Sequence, residues 1–167
     1  MLWVFTFIVI GLVAYLFYPM QKLPKDHRID LIKVYKSDRK MLVFLDGNLI
    51  KTYVISLGKN PIGHKQFEGD CKTPEGIYTI NARNPNSGYH KNLGVSYPNE
   101  TDVANAQKLG KPPGGDIKIH GLPNGKGFIS KFHRFKDWTA GCIAVTNPEI
   151  DELYEAVIEN ARIEIYP

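Results

Sequence analysis

The chain has 167 residues, 43% of them hydrophobic and 23% charged, with a formal net charge of +4 and two cysteines. This length is enough for one domain with a core, and the composition excludes a disordered, collagen-like or disulfide-rich chain. The small basic excess fits either contact with an anionic surface or an ordinary solvated face. The sequence contains no dense basic stripe with interleaved aromatic residues, so nucleic-acid binding is not predicted.

Residues 2–18 form an apolar run without a charged side chain. About 17–25 such residues cross a bilayer as a helix, and Trp3, Tyr15 and Tyr18 lie near the ends, where aromatic rings favour the membrane interface. The run lacks the basic start and the small-residue cleavage site that are typical of a cleaved signal peptide. We therefore predict an uncleaved transmembrane anchor over residues 1–20 and a linker over residues 21–28.

The remaining residues, 29–167, are predicted to form a domain that is mainly β with one or two helices (α+β). Alternating or continuous apolar runs predict strands at residues 29–35, 41–45, 49–57, 76–80, 117–119 and 162–166. A short helix is predicted over residues 102–109. A longer helix is predicted to begin at Asn147, a good capping residue, with Pro148 in its first turn.

Two short clusters indicate chemistry, one around His120 and one around Cys142. A neighbouring imidazole can take the proton of a thiol and so produce a strong nucleophile. The spacing alone is also compatible with a packed cysteine and an unrelated histidine. A zinc hydrolase using these two residues and a third ligand is a weaker alternative, because zinc ligands usually occur as closely spaced pairs.

Residues 29–166 resemble the L,D-transpeptidase (YkuD-type) catalytic domain. That family has a His-Gly pair, a variable segment and a [Ser/Thr]-x-Gly-Cys motif, which His120-Gly121 and Thr139-Ala140-Gly141-Cys142 match in order. Residues 69–76 match the family's Gly-x-x-x-Thr-Pro-x-Gly stretch. Residues 137–144 read Asp-Trp-Thr-Ala-Gly-Cys-Ile-Ala, which is typical of one branch of the family. The resemblance implies a YkuD-like β-sandwich or mixed-sheet domain.

The resemblance also implies an enzyme that acts on peptidoglycan stem peptides without a metal or other cofactor. Cys142 would be the nucleophile that forms an acyl-enzyme, and His120 the general base and acid. The Gly121 backbone would orient His120, and the Gly141 backbone would contribute to the oxyanion hole. An amine acceptor would make the protein a transpeptidase, whereas water would make it a carboxypeptidase or an amidase that releases a wall-linked protein. A non-catalytic wall-binding module is the alternative outside the enzymes.

Substrate contacts are predicted from the same resemblance for Thr139, Trp138, Arg134 and Tyr97. Many members have an arginine two residues after the cysteine, where this chain has Ala144, and Arg134 or the nearby His133 is predicted to supply the missing charge. Residues 124–136 are predicted to be either a lid over the site or a plain surface loop.

The cellular location is predicted differently by charge and by chemistry. Basic residues follow the apolar run and none precedes it, and this asymmetry favours a cytoplasmic domain. The peptidoglycan substrate requires the opposite orientation. We follow the chemistry and predict a single-pass inner-membrane protein whose catalytic domain faces the periplasm.

Overall fold

The computed structural model describes residues 2–24 and 28–167. Within these residues it contains three α-helices, one 3₁₀ helix and eight strands. The helices are α1 (Leu2–Phe17), α2 (Glu100–Lys108) and α3 (Asn147–Ala156), and the 3₁₀ helix is Gly127–Phe135. The strands are β1 (Ile29–Tyr35), β2 (Lys40–Leu45), β3 (Asn48–Val54), β4 (Gly76–Ser87), β5 (His90–Val95), β6 (Lys118–His120), β7 (Ile143–Ala144) and β8 (Val157–Tyr166).

All eight strands belong to one mixed sheet with the order β3-β2-β1-β8-β4-β5-β6-β7. The long strand β4 joins its two halves, because its first residues pair with β8 and the residues from Ile80 onward pair with β5. Isolated bridges from Ser56 to Ala144 and from Gly58 to Thr139 link the chain after β3 to the opposite edge. The sheet is therefore curled, and the predicted α+β class, mainly β, is confirmed.

The hydrophobic core lies against this sheet and extends to the strands that carry the candidate site. Ile119 of β6 and Ile143 of β7 are fully buried and lie opposite each other in a parallel pair. Helix α3 contributes Ile150 and Leu153, which are three residues apart on one helical face. Burying each such side chain contributes about 1.5–3 kcal/mol, so the short strands β6 and β7 are firmly held despite their length.

Helix α1 exposes apolar side chains such as Trp3 and Phe7. Its 16 residues rise about 24 Å. Across residues 2–24 and 28–167, no helix reaches both the length and the hydropathy needed to cross a membrane. The anchor over residues 1–20 stays a prediction, and part of the predicted linker, residues 25–27, lies outside the described residues.

Several element boundaries differ from the sequence-based prediction. Strand β4 continues from Ile80 to Ser87, β8 begins at Val157, and β5 was not predicted. The added part of β4 is exposed and polar, without the alternation that identifies a half-buried strand. Its extended conformation depends on pairing with β5 and not on local hydrophobic pattern.

Candidate active site

His120 ends strand β6, and a single hydrogen bond defines which of its nitrogens can act as a base. The side chain is 4% exposed, and its Nδ1 lies 2.7 Å from the carbonyl oxygen of Gly121. A carbonyl can only accept, so Nδ1 carries the proton and Nε2 keeps a free lone pair. Gly121 is needed at this point, because a Cβ there would lie 2.7 Å from Oδ1 of Asn147.

Cys142 lies at the end of a tight loop that Thr139 holds together. The Thr139 hydroxyl donates to the carbonyl of Cys142 at 2.7 Å and accepts from the backbone N–H of Gly141 at 3.1 Å. The Thr139 backbone pairs in turn with Leu57 and Lys59. The Cys142 thiol donates to the carbonyl of Asp116 at 3.4 Å. Cys142 is thus positioned by the sheet on one side and by the loop on the other.

One cavity of about 530 Å³ is lined by both His120 and Cys142. In the parallel pair of β6 and β7, His120 lies opposite Ala144, which places Cys142 beside Lys118 on the same face. The rings of Tyr89 and Trp138 lie 4.6 Å and 5.6 Å from the His120 ring. The other lining residues are mostly polar: Lys59, Asn84, Asn86, Ser87, Gly88, Asn92, Asp116, Lys118, Thr139 and Ala140.

The family model of the YkuD L,D-transpeptidase catalytic domain matches residues 29–165. The chain belongs to this family. It is 28% identical over 149 residues to Putative L,D-transpeptidase YafK of Escherichia coli K12, a match that covers 81% of this chain and 53% of that protein.

Two of the solved structures that this YkuD domain resembles come from Campylobacter jejuni and Bdellovibrio bacteriovorus. The helical cell shape determining protein Pgp2 from Campylobacter jejuni has a TM-score of 0.59 at 28% identity, over 84% of this chain and 48% of that one. Bd1075 of Bdellovibrio bacteriovorus has a TM-score of 0.57 at 27% identity, over 87% of this chain and 50% of that one. The chain thus spans about half the length of the relatives that it matches.

The surroundings of Cys142 and His120 in this YkuD domain favour the neutral form of both side chains. Burial lowers the pKa of His120. The hydrogen bond to Gly121 opposes this shift, and the charge of Lys118 lowers the pKa further. Burial raises the pKa of the Cys142 thiol, while the backbone N–H and the charge of Lys118 oppose that shift. Both shifts favour a neutral thiol on Cys142 and a neutral imidazole on His120.

Alkylation of Cys142 by iodoacetamide is expected to be slower at pH 7 than alkylation of a free small thiol. Only the thiolate reacts, and a raised pKa reduces the thiolate fraction at every pH below that pKa. The alkylation rate should therefore rise with pH through a midpoint that lies above the ordinary pKa range of cysteine. Peptide mapping by mass spectrometry separates Cys142 from Cys71, which is also a free thiol. A fast reaction that persists below pH 6 would instead show a thiolate–imidazolium pair.

Two residues predicted as substrate contacts, Arg134 and Tyr97, do not line this cavity, and their roles stay predictions. Arg134 donates to Glu149 at 2.7 Å beside the N-terminus of α3. Tyr97 is 5% exposed and its hydroxyl donates to the carbonyl of Pro113. His133 does not supply the charge either, because burial lowers its pKa to about 4 and leaves it neutral.

Residues 124–136 also lie outside the cavity, so the surface-loop alternative fits better than the lid. The 3₁₀ helix within them is held by Lys131, whose ammonium donates to backbone carbonyls of Tyr15 and Tyr18 in and after α1. His133 lies against Ser56 at 3.1 Å. Of the predicted substrate contacts, Trp138 and Thr139 line the cavity.

The N–H of Gly141, which is predicted to contribute to the oxyanion hole, donates to the Thr139 hydroxyl at 3.1 Å, and its oxyanion role stays a prediction. A glycine is favoured at position 141 because its φ is +137° and because a Cβ there would lie 2.7 Å from the Lys72 carbonyl oxygen.

Sequence reasoning missed much of the polar lining of the cavity, which includes Asn84, Asn86, Ser87, Asn92 and Lys118. The available signal was Lys118 itself, two residues before His120 and therefore on the same face of a strand. Asn92 could not be found, since β5 was not predicted.

Proposed function

We propose that this protein is a cysteine-dependent L,D-transpeptidase that acts on peptidoglycan stem peptides through an acyl-enzyme on Cys142, and so crosslinks or remodels the cell wall and influences cell shape. The carrying observation is that Cys142 and a His120 whose Nε2 is free to accept a proton line the same cavity. Membership of the YkuD family supports the substrate class.

In the proposed reaction, Nε2 of His120 takes the thiol proton while Sγ of Cys142 attacks the carbonyl of the diamino acid at its L centre. The backbone N–H of Cys142 is the proposed donor to the oxyanion, a contribution typically worth ~3 kcal/mol. When the tetrahedral intermediate collapses, the carbon–nitrogen bond breaks and His120 protonates the leaving D-alanine amine. An amine of a second stem peptide then attacks the thioester, forms the crosslink and restores the thiol.

A peptidoglycan hydrolase of the same fold is the second candidate. Ala144 favours it, because this fully buried alanine stands where many relatives have an arginine associated with the substrate site, and its branch includes hydrolytic members. Water as the acceptor would give an L,D-carboxypeptidase, or an amidase if the bond joins a wall-linked protein to the stem.

The proposal is tested by incubating the full-length protein in detergent with a disaccharide-tetrapeptide and following the products by mass spectrometry, with Cys142→Ala as the control. We expect release of D-alanine, a covalent adduct on Cys142, and no turnover by Cys142→Ala. A dimeric product identifies the transpeptidase and a free tripeptide the carboxypeptidase. If the tetrapeptide is untouched, a protein-linked muropeptide tests the amidase. Undiminished turnover by Cys142→Ala would disprove the mechanism.

We also propose that residues 1–20 hold the protein at the inner membrane with the catalytic domain in the periplasm. The exposed apolar side chains of α1 support this location. Sodium carbonate extraction of cell membranes tests it, since an anchored protein stays in the pellet and a peripheral one is released. Protease digestion of spheroplasts should remove the catalytic domain, and protection from the protease would place it in the cytoplasm.

A further inference from the structure

The wall of the Cys142 cavity carries a cation, Lys118, whose acidic neighbour among the described residues is itself exposed. Lys118 lines the cavity, lies beside Cys142 across the β6–β7 pair, and is two residues from His120 on the same face. Its acidic neighbour is Asp116, 3.4 Å away, whose side chain is 91% exposed. An exposed pair of this kind contributes little, so Lys118 remains available to a negatively charged ligand.

The other cations near the site are unsuited to this role. Lys65 is nearly fully buried and bound to Asp70 at 2.9 Å. Arg134 is paired with Glu149 away from the cavity. Lys59 also lines the cavity, but it lies on the segment after β3, whereas Lys118 lies beside Cys142 and two residues from His120.

A buried amide lies on the same face of the sheet. Asn92 of β5 pairs directly opposite His120, and Gly94 pairs opposite Lys118. Asn92 is 5% exposed and lines the cavity, yet within the described part of the chain its side chain makes no hydrogen bond. The polar atoms of this amide are accessible from the cavity, so they can bind a ligand that enters it. As the diagonal neighbour of Lys118, it can reach the same bound group.

We propose that Lys118 and Asn92 form a carboxylate subsite, which binds the free carboxylate of the stem-peptide residue on the leaving side of the bond that Cys142 attacks. This inference rests on the proposed function and assigns the residues that recognise the terminal carboxylate of its tetrapeptide substrate. The ammonium of Lys118 supplies the charge, and the Asn92 amide donates a second hydrogen bond. The charge that Ala144 cannot supply thus comes from the neighbouring strand.

The test compares two substrates, the tetrapeptide with a free C-terminal carboxylate and the same tetrapeptide with a C-terminal amide. The wild-type protein should favour the acid by about 10–100-fold in kcat/KM, the range for a hydrogen bond to a charged group. Lys118→Gln should lose this preference, mainly through a higher KM for the acid, and Lys118→Arg should recover most of it. Lys126→Gln, an exposed cation outside the cavity, is the matched control and should keep the full preference.

The amide substrate separates binding from a general effect on the thiol. Loss of the Lys118 charge can also slow attack by Cys142, but that effect acts on both substrates equally. Equal turnover of acid and amide by the wild type, or an equal loss for both in Lys118→Gln, would overturn the subsite and leave the proposed function intact. Failure of the wild type on both substrates, without an adduct on Cys142, would overturn the two together.

Discussion

Replacing His120 with asparagine is expected to lower turnover of the tetrapeptide by about 10²–10⁴-fold, the usual contribution of a general acid–base group. The Asn side-chain N–H can replace Nδ1–H as the donor to the Gly121 carbonyl, a contact of 2.7 Å in the native protein. The substitution removes only the second nitrogen, which accepts the thiol proton. Release of D-alanine, followed by mass spectrometry, measures the loss.

The melting temperature serves as the control for this variant. It should change little, because the retained hydrogen bond and a smaller side chain disturb the packing against Tyr89 and Trp138 only locally. Turnover within a few-fold of the native rate would show that His120 is not the base. A large drop in melting temperature would mean that the lost activity reports unfolding, and His120→Gln would then repeat the test with a longer side chain.

Replacing Gly141 with alanine is expected to destabilise the protein by about 2–4 kcal/mol and to lower turnover, because strain and overpacking act together. Its φ of +137° is one that alanine rarely adopts, and the new Cβ would lie 2.7 Å from the Lys72 carbonyl oxygen. The Lys72 backbone cannot easily move away, since its N–H donates to Asp70. Relief of the clash must therefore shift the loop that carries Cys142. Urea unfolding measures the stability, and D-alanine release measures the activity.

Gly115→Ala is the matched control, because a Cβ at Gly115 meets nothing within 4 Å and its φ is not positive. Its free energy of unfolding should stay within about 0.5–1 kcal/mol of the native value. If Gly141→Ala kept the same stability and activity as Gly115→Ala, this would show that the close packing of residues 72 and 141 does not position Cys142. Gly58 packs against the same loop, because a Cβ at Gly58 would overlap the Cys71 carbonyl oxygen and lie 3.1 Å from the Cα of Gly141.

Local sequence patterns predicted the elements that bury a regular apolar face. Strand β1 lies at the predicted residues, and α3 begins where Asn147 and Pro148 indicated. The actual N-cap is Thr146, whose hydroxyl donates to Glu149. The prediction was poorest between residues 58 and 115, where strand β5 was missed. Chain segments in that stretch are ordered by contacts with distant residues, and such contacts leave no periodic pattern in the sequence.

The predicted site residues divide in the same way. The sequence predicted His120, Gly121 and Cys142 as site residues because the motif couples residue type to local backbone geometry, and the structure brings His120 and Cys142 to one cavity. The contacts of Arg134 with Glu149 and of Tyr97 with Pro113 were not predicted, because such partners are set by the packing of separate elements. A sequence shows that an arginine lies near a motif, but not which carboxylate it will meet.

The sequence by itself determined the family, the mainly β class and the two candidate catalytic residues, Cys142 and His120, since each depends on short motifs or on periodic burial. Only the tertiary structure decided what surrounds those two residues. The curled sheet brings β5 beside β6, and so Asn92 and Lys118 face the cavity that holds Cys142. The physical reason is that a reactive residue type and its local backbone conformation are encoded in a short stretch of sequence. The shape and charge of a pocket instead come from side chains on separate strands. Which of these strands become neighbours is set by pairing across the whole sheet.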